Sequence, residues 1–110
     1  LVSFNGLRYD WPLLMRRALY LDIDFPDINL DRYRTEHVDV WDRLSHHGVI
    51  KAHSLTWYAK RFGWVDLSKP LSGSEEAQAP AKGQWDELRA SVQHDVTACE
   101  RLAVKMGLLR

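Results

Sequence analysis

The clearest pattern of apolar and polar residues lies toward the end of the chain. Between Gln84 and Met106, apolar side chains recur three or four residues apart, which is the spacing of one helical face: Leu88, Val92, Val96, Cys99, Leu102 and Met106. This spacing predicts one long helix. Asp95 falls on the same stripe, where a carboxylate needs a hydrogen bond, an ion pair or a metal ion because burying it bare is costly.

Shorter elements are predicted in the first part of the chain. Residues 1–4 have the apolar character of a short buried strand, and residues 5–10 form a turn in which Gly6 supplies backbone freedom. A helix is expected from Asp10 or Trp11 to about Tyr20. Residues 21–36 are rich in Asp, Pro and Asn, which predicts a loop.

The central residues predict three further elements. A strand is expected over residues 37–40 and a short helix over residues 41–47. A second helix runs over residues 55–62, with Ser54 as its N-cap. Residues 66–83 contain Ser, Gly, Pro, Ala and Gln without periodicity, so we expect a loop there.

Composition limits the class of protein. The chain has 110 residues, the size of one domain, and 45% of them are hydrophobic, which is enough for a folded core. Its single cysteine, Cys99, excludes an internal disulfide and a four-thiolate zinc site, and we expect a cytoplasmic location. No apolar run reaches the roughly 18–20 residues that span a bilayer, so no membrane partner is expected.

The balance of charges gives no support to non-specific binding of nucleic acid. The chain has 15 Lys and Arg residues and 15 Asp and Glu residues, so its formal net charge is zero. Non-specific DNA binding usually comes with a basic excess, because neutralised phosphates release counterions. An enzyme that holds a few nucleotides through metal ions remains compatible with a neutral chain.

Two aspartates carry the candidate chemistry, and each also has a structural explanation. Asp10 stands just before a predicted helix, where an Asp ordinarily caps the first free amides. Asp95 could bond a neighbouring arginine or a backbone group at the edge of the apolar stripe. Position alone leaves both explanations open.

Four segments of the chain form an ordered set: residues 4–14, 37–44, 54–63 and 94–97 with Leu102. Together they resemble the DEDD 3′-5′ exonucleases, in particular the predicted exonucleases related to the proofreading domain of family B DNA polymerases. Residues 4–14 resemble the second motif, in which an Asn is followed by an aromatic residue and the metal-binding Asp. Residues 94–97 with Leu102 resemble the third motif, a helix that carries another metal-binding Asp. Residues 37–44 and 54–63 resemble the segments between these motifs.

The resemblance implies a ribonuclease H-like α/β fold, helix-rich with short strands, in which residues 1–110 are a partial exonuclease domain. It implies hydrolysis of DNA or RNA from the 3′ end by two Mg²⁺ or Mn²⁺ ions. Asp10 and Asp95 would be the catalytic metal ligands, and the partner would be single-stranded or 3′-end nucleic acid. Four further residues are expected to contact the substrate: Asn5, Tyr9, Trp11 and Ser91.

This chain departs from the family pattern at two places. The opening Asp-x-Glu motif is not found; Asp22 and Asp24 have a similar spacing, but they stand in a predicted loop after the second motif. Ser91 occupies the position of a Tyr that helps to orient the attacking water. We therefore expect a C-terminal fragment of a longer exonuclease, which by itself binds Mg²⁺ weakly and cleaves nucleic acid poorly.

The sequence leaves two other functions open. The main alternative is a degenerate, non-catalytic ribonuclease H-like domain that binds nucleic acid or a protein partner; Ser91 favours it, whereas Asp10 and Asp95 disfavour it. A structural interaction domain unrelated to nucleases is a third reading. A fragment that begins within a sheet would expose a strand edge, so we also expect a homo-oligomer formed through that edge.

Overall fold

The computed structural model describes residues 1–31 and 33–109. Within them it contains a short parallel sheet and five helices, joined by turns and loops. They are divided between two units, one within Leu1–Ala52 and the other within His53–Arg110. This combination of helices with a short sheet fits the predicted α/β fold.

The first unit contains the sheet and two helices. Strand β1 pairs in parallel with β2, with Val2 opposite Val38 and Ser3 opposite Asp39. The strand predicted over residues 1–4 is shorter than expected and only partly buried, and Leu1, which precedes it, is 77% exposed. The helix predicted to end at Tyr20 is confirmed. The elements are β1 (Val2–Ser3), α1 (Asp10–Tyr20), β2 (Val38–Asp39) and α2 (Val40–Leu44).

Helix α2 begins and ends earlier than the sequence predicts. It starts directly after β2, because the side chain of Asp39 accepts a hydrogen bond from the Asp42 amide and caps the first turn. The helix does not reach residue 47, because His46 and His47 adopt left-handed backbone angles, with φ of 49° and 61°. The loop predicted over residues 21–36 is confirmed where the structure describes it.

The second unit consists of three helices. Helix α3 packs against α5, and its buried residues Tyr58 and Ala59 lie on the inner face. The prediction that Ser54 caps α3 is confirmed, since its hydroxyl accepts a hydrogen bond from the Trp57 amide at 3.2 Å. The elements are α3 (Leu55–Arg61), α4 (Gly73–Gln78) and α5 (Trp85–Lys105).

The loop predicted over residues 66–83 is wrong in part, because α4 forms within it. Its N-terminus is a capping box in which Ser72 accepts a hydrogen bond from the Glu75 amide and the Glu75 carboxylate accepts one from the Ser72 amide. The hydrogen bonds with Ser72 lower the pKa of Glu75. The signal was present in the sequence as Ser-x-x-Glu, but a helix this short shows no hydrophobic periodicity.

Helix α5 forms as predicted, and its predicted apolar stripe is buried in part. Cys99 and Leu102 of that stripe are buried, whereas Val92 and Val96 are 52% and 56% exposed. The buried face also includes small and polar side chains that were not on the predicted stripe: Ser91, His94, Ala98 and Ala103. Small side chains allow two helices to approach closely, and α5 packs against α3.

None of the helices within residues 1–31 and 33–109 combines the length and the apolar composition that a bilayer crossing requires.

Candidate functional site

The buried carboxylate of Asp39 organises the segment that resembles the second motif. The residue is only 3% exposed, and its two oxygens accept hydrogen bonds from the amides of Asn5 at 2.8 Å and Leu7 at 3.1 Å. The same side chain caps α2 through the Asp42 amide at 3.3 Å. One residue of β2 therefore fixes the loop that leads into α1. Sequence reasoning placed Asp39 in a strand and did not identify it as an N-cap, although an Asp directly before a helix is a typical N-cap.

The tight turn before α1 depends on Asn5 and Gly6 in different ways. Asn5 has a positive φ of 64°, a conformation that Asn tolerates better than most residues. Gly6 does not adopt a left-handed conformation; it is required because a Cβ there would lie 2.3 Å from Ser3 Oγ. The expectation that Gly6 supplies backbone freedom is therefore corrected: what it supplies is space.

Asp10 lies at the start of α1, next to this turn. It is the first helical residue, and the N-cap position belongs to Tyr9, whose side chain makes no cap hydrogen bond. The capping explanation for Asp10 is therefore wrong. A Cβ on Gly6 would lie 3.6 Å from Asp10 Oδ2, so the carboxylate stands against the glycine backbone. Partial burial, followed by the negative charge of Asp39, raises the pKa of Asp10.

The predicted substrate-contacting residues around Asp10 differ in accessibility. Tyr9 is 63% exposed, so its ring is open to a ligand. The ring of Trp11 packs inside the first unit, 6.0 Å from Phe25 and edge-on to His37 at 5.7 Å. Two buried polar atoms, Asn5 Oδ1 and Trp11 Nε1, have no hydrogen-bond partner among the described residues.

His37, which directly precedes β2, contacts Ser3 beside the same turn. Its Nε2 lies 2.7 Å from Ser3 Oγ, and that oxygen accepts a hydrogen bond from the Gly6 amide at 3.1 Å. Burial is the main cause that lowers the pKa of His37. A neutral imidazole can accept the Ser3 hydroxyl hydrogen at Nε2, which leaves the Ser3 oxygen free to accept from Gly6.

In the second unit, Asp95 is held by an ion pair. Its Oδ2 lies 2.7 Å from Lys69 Nζ, and its Oδ1 lies 3.0 Å from His94 Nδ1. Lys69 Nζ also lies 3.0 Å from Glu76 Oε1, so one ammonium group forms ion pairs with two carboxylates. Burial alone lowers the pKa of Lys69, but the hydrogen bonds to Asp95 and Glu76 outweigh it and the net shift is upward. Sequence reasoning expected a partner for Asp95 but identified neither Lys69 nor Glu76.

Ser91 is fully buried on α5. Its hydroxyl oxygen accepts a hydrogen bond from the Leu71 amide at 3.0 Å and so anchors the chain that precedes α4. A side chain with no exposed surface cannot reach a substrate in this conformation. The contact predicted for Ser91 thus disagrees with its placement, because its small hydroxyl is enclosed between α5 and the backbone at Leu71.

The candidate residues are distributed over both units. Asn5, Tyr9, Asp10 and Trp11 belong to one continuous segment of the first unit, and Asp95 belongs to α5 of the second. Within residues 1–31 and 33–109, no three His, Cys, Asp or Glu side chains are grouped so that they could hold a metal ion. The roles of Asp10 and Asp95 as metal ligands remain predictions.

Comparison with known proteins identifies a family. Neither the curated proteins nor the solved structures contain a match to this chain. A family model described as a predicted 3′-5′ exonuclease related to the exonuclease domain of PolB matches residues 1–109. The match covers nearly the whole sequence and confirms the resemblance on which the candidate site was based. The chain belongs to this family of predicted 3′-5′ exonucleases related to the exonuclease domain of PolB.

Proposed function

We propose that this chain contributes to a metal-dependent 3′-5′ exonuclease of ribonuclease H-like fold, which hydrolyses phosphodiester bonds of DNA or RNA by a two-metal mechanism. Family membership supports the nuclease class. The observation that carries the proposal is the environment of Asp10, whose pKa is raised by burial and by Asp39. A divalent cation beside Asp10 would offset these two unfavourable effects, because an opposite charge favours the ionised carboxylate.

The donor chemistry of the two candidate ligands fits Mg²⁺ or Mn²⁺. Asp10 and Asp95 offer carboxylate oxygens, which these hard cations prefer. For Asp95, ligation through Oδ2 requires that Lys69 gives up its ion pair, since the two atoms are 2.7 Å apart. When bound, such ions activate the attacking water and stabilise the leaving 3′ oxygen.

The other residues of the first unit would hold the substrate and the loop. Asp39 would hold the loop before α1 through the hydrogen bonds that it accepts from the Asn5 and Leu7 amides. Asn5 would shape the loop beside the terminal nucleotide from a buried position, since its Oδ1 is buried and has no hydrogen-bond partner among the described residues. The exposed ring of Tyr9 offers a surface on which a base can stack. Trp11 would support the loop from inside rather than contact the nucleotide.

A second candidate function is a non-catalytic domain that binds nucleic acid. The ion pair between Lys69 and Asp95 favours it, because a carboxylate that carries its own ammonium partner is stable without a metal. The burial of Ser91 favours it as well, since no hydroxyl at that position reaches solvent to orient water.

The test is a cleavage assay on the natural protein that contains these residues. A single-stranded oligonucleotide labelled at its 5′ end is incubated with Mg²⁺, with Mn²⁺, or with a chelator. We expect a ladder of products shortened from the 3′ end only when a metal is present. Asp10→Asn and Asp95→Asn should each reduce the rate by about two orders of magnitude or more, because a bound metal contributes several kcal/mol to such a reaction.

Asp24→Asn is the matched control, since Asp24 is an exposed carboxylate of the loop after α1. It should cleave like the unaltered protein. Binding of the labelled strand without any shortening in either metal would support the non-catalytic function and contradict the nuclease.

A further inference from the structure

Two aromatic rings at the start of α3 are stacked on each other and exposed to solvent. The ring centres of His53 and Trp57 are 3.8 Å apart, and the two planes are inclined by only 15°. Trp57 is 41% exposed. The backbone amide of His53 donates a hydrogen bond to the hydroxyl of the buried Tyr58 at 3.2 Å, which holds His53 beside Trp57. Rings that are already held in place lose little conformational entropy when a ligand binds to them.

One face of the Trp57 ring is covered by His53, and the other face is open. The ring of Tyr58 is nearly perpendicular to that of Trp57, with the centres 5.0 Å apart, and lies 6.0 Å from His53. These distances make nearly a right angle at Trp57, so Tyr58 lies at the edge of the indole and not on its second face. Among the described residues no further ring or cation lies against this indole, which leaves room for one more planar group.

The side of α3 that carries Trp57 is basic. Lys60 and Arg61 follow Trp57 by three and four residues, so they lie on the same side of the helix, and both are exposed. Residues 43–65 contain no Asp or Glu. In a chain whose formal net charge is zero, this segment is a local excess of positive charge.

The carboxylates on the other side of Lys60 do not cancel all of this charge. The ammonium group of Lys69 is paired with both Asp95 and Glu76, and the one negative charge left over offsets Lys60, which lines the same cavity as Lys69. Arg61 does not line that cavity and forms no ion pair among the described residues. Its guanidinium group is therefore the cation that is available to a ligand.

A second ring and a second cation continue this surface past the end of α3. Phe62 is 39% exposed and lies 6.3 Å from Tyr58, whose ring also contacts the stacked indole. The Nζ atom of Lys105 lies 4.6 Å from the centre of the Phe62 ring. The carboxylate of Asp66 is already paired with Arg101. Exposed rings with cations beside them are the arrangement with which proteins hold the bases and phosphates of a single strand.

We propose that this side of α3 binds single-stranded nucleic acid, with one base stacked on the open face of Trp57 and a neighbouring phosphate bound by Arg61. The indole favours this partner over an acidic peptide, because a base offers a ring to stack on it and an acidic side chain does not. The choice also rests on the proposed function, which has nucleic acid as its substrate. The surface contains no proposed metal ligand, so binding to it requires no divalent ion.

The test is a fluorescence anisotropy titration of the whole chain with a labelled oligothymidylate in the presence of a chelator. A strand of the same length with abasic sites keeps the phosphates and lacks the bases. We expect saturable binding that is about tenfold tighter for the oligothymidylate, because stacking of a base on an aromatic side chain contributes this much.

Trp57→Leu should bind both strands equally weakly, whereas Trp57→Phe, which keeps a ring, should retain the preference for bases. Circular dichroism checks that the helices remain. The matched control is Trp85→Leu: Trp85 is 57% exposed, but it stands at the start of α5 beside Asp86 and Glu87, and its loss should leave the affinity unchanged.

Arg61→Met should weaken binding of both strands and reduce its salt dependence by about one released counterion, because one phosphate contact is lost. The matched control is Arg89→Met, which removes an exposed arginine that lies 3.9 Å from Asp86 on α5 and should change neither quantity.

The proposal is overturned if Trp57→Leu keeps the preference for bases as Trp85→Leu does, or if an oligoglutamate peptide displaces the labelled strand as well as unlabelled oligothymidylate does. Because no divalent metal is present, the titration measures binding without cleavage. A chain that binds through Trp57 but never shortens the strand contradicts only the nuclease, and a chain that shortens the strand but binds it without Trp57 contradicts only this surface.

Discussion

The ammonium group of Lys69 lies 2.7 Å from Oδ2 of Asp95, so the carboxylate that matches the third exonuclease motif is paired with a cation from its own chain. The side chains are 18% and 36% exposed, which places the pair at the edge of the core. A metal ion that uses this oxygen must compete with Lys69.

Replacing Lys69 should therefore strengthen metal binding. We expect Lys69→Met to lower the dissociation constant for Mn²⁺ a few-fold, because partly exposed ion pairs contribute roughly 0–1 kcal/mol. Paramagnetic resonance of free Mn²⁺ measures this constant directly. Lys82→Met, which removes an exposed lysine from the turn before α5, should leave it unchanged. Unaltered or weaker Mn²⁺ binding in Lys69→Met would show that the ammonium does not compete.

Asp39 should be the most important side chain for the stability of the first unit. Asp39→Asn places an amide N–H₂ group against backbone N–H groups that now donate to a carboxylate, so a buried hydrogen bond is lost. We expect the free energy of unfolding to fall by about 1–3 kcal/mol, as measured by urea denaturation. The Asn5 and Leu7 amides should also exchange hydrogen faster. The exposed loop variant Asp27→Asn should show neither effect, and an equal loss in both variants would contradict the role assigned to Asp39.

The ionised carboxylate of Asp10 is predicted to lower the stability of the folded chain when no metal is bound. Its pKa is raised in the folded state, so the charge of this group disfavours folding at neutral pH, and the penalty disappears as the pH falls through the raised pKa toward 3.8. In the presence of a chelator, Asp10→Asn should therefore raise the melting temperature slightly at pH 7 and have no such effect near pH 4. Added Mn²⁺ should stabilise the unaltered chain but not the variant. A lower melting temperature for Asp10→Asn at pH 7 would contradict this account.

His37 should make stability depend on pH in mildly acidic solution. Its folded pKa lies below 6.5, so the unfolded chain takes up a proton first as the pH falls. The free energy of unfolding should decrease from about pH 6.5 downward and level off below the folded pKa. His37→Gln keeps an acceptor near Ser3 Oγ but cannot titrate. Urea denaturation between pH 5 and 7.5 should show a weaker pH dependence in this variant; identical slopes would mean that other histidines are responsible.

The sequence predicts helices better than the contacts that position the site. Helix α1 and the capped α3 follow from local signals, namely a Pro in the first turn and a Ser at the N-cap. The burial of Ser91 and His94 on α5 was missed because both are polar residues whose burial depends on tertiary partners, in the case of Ser91 the Leu71 amide.

The contacts of Asp95 and Asp39 also could not be predicted from local sequence patterns. That Asp95 needed a partner could be inferred from its place on a helix, but Lys69 is 26 residues away and belongs to a segment without periodicity. Likewise, the hydrogen bonds that Asp39 accepts from the loop before α1 join residues more than 30 positions apart, since the Asn5 amide is 34 residues away and the Leu7 amide 32. Local patterns carry no information on such pairs.

The most direct test of the central claim is Mn²⁺ binding to the unaltered protein, to Asp10→Asn and to Asp95→Asn, measured by paramagnetic resonance of free Mn²⁺. If each carboxylate is a metal ligand, each substitution weakens Mn²⁺ binding, because it removes an anionic oxygen that hard cations prefer, whereas Asp24→Asn leaves the binding unchanged. Mn²⁺ binding that is the same in all four proteins would contradict the assignment of Asp10 and Asp95 as metal ligands.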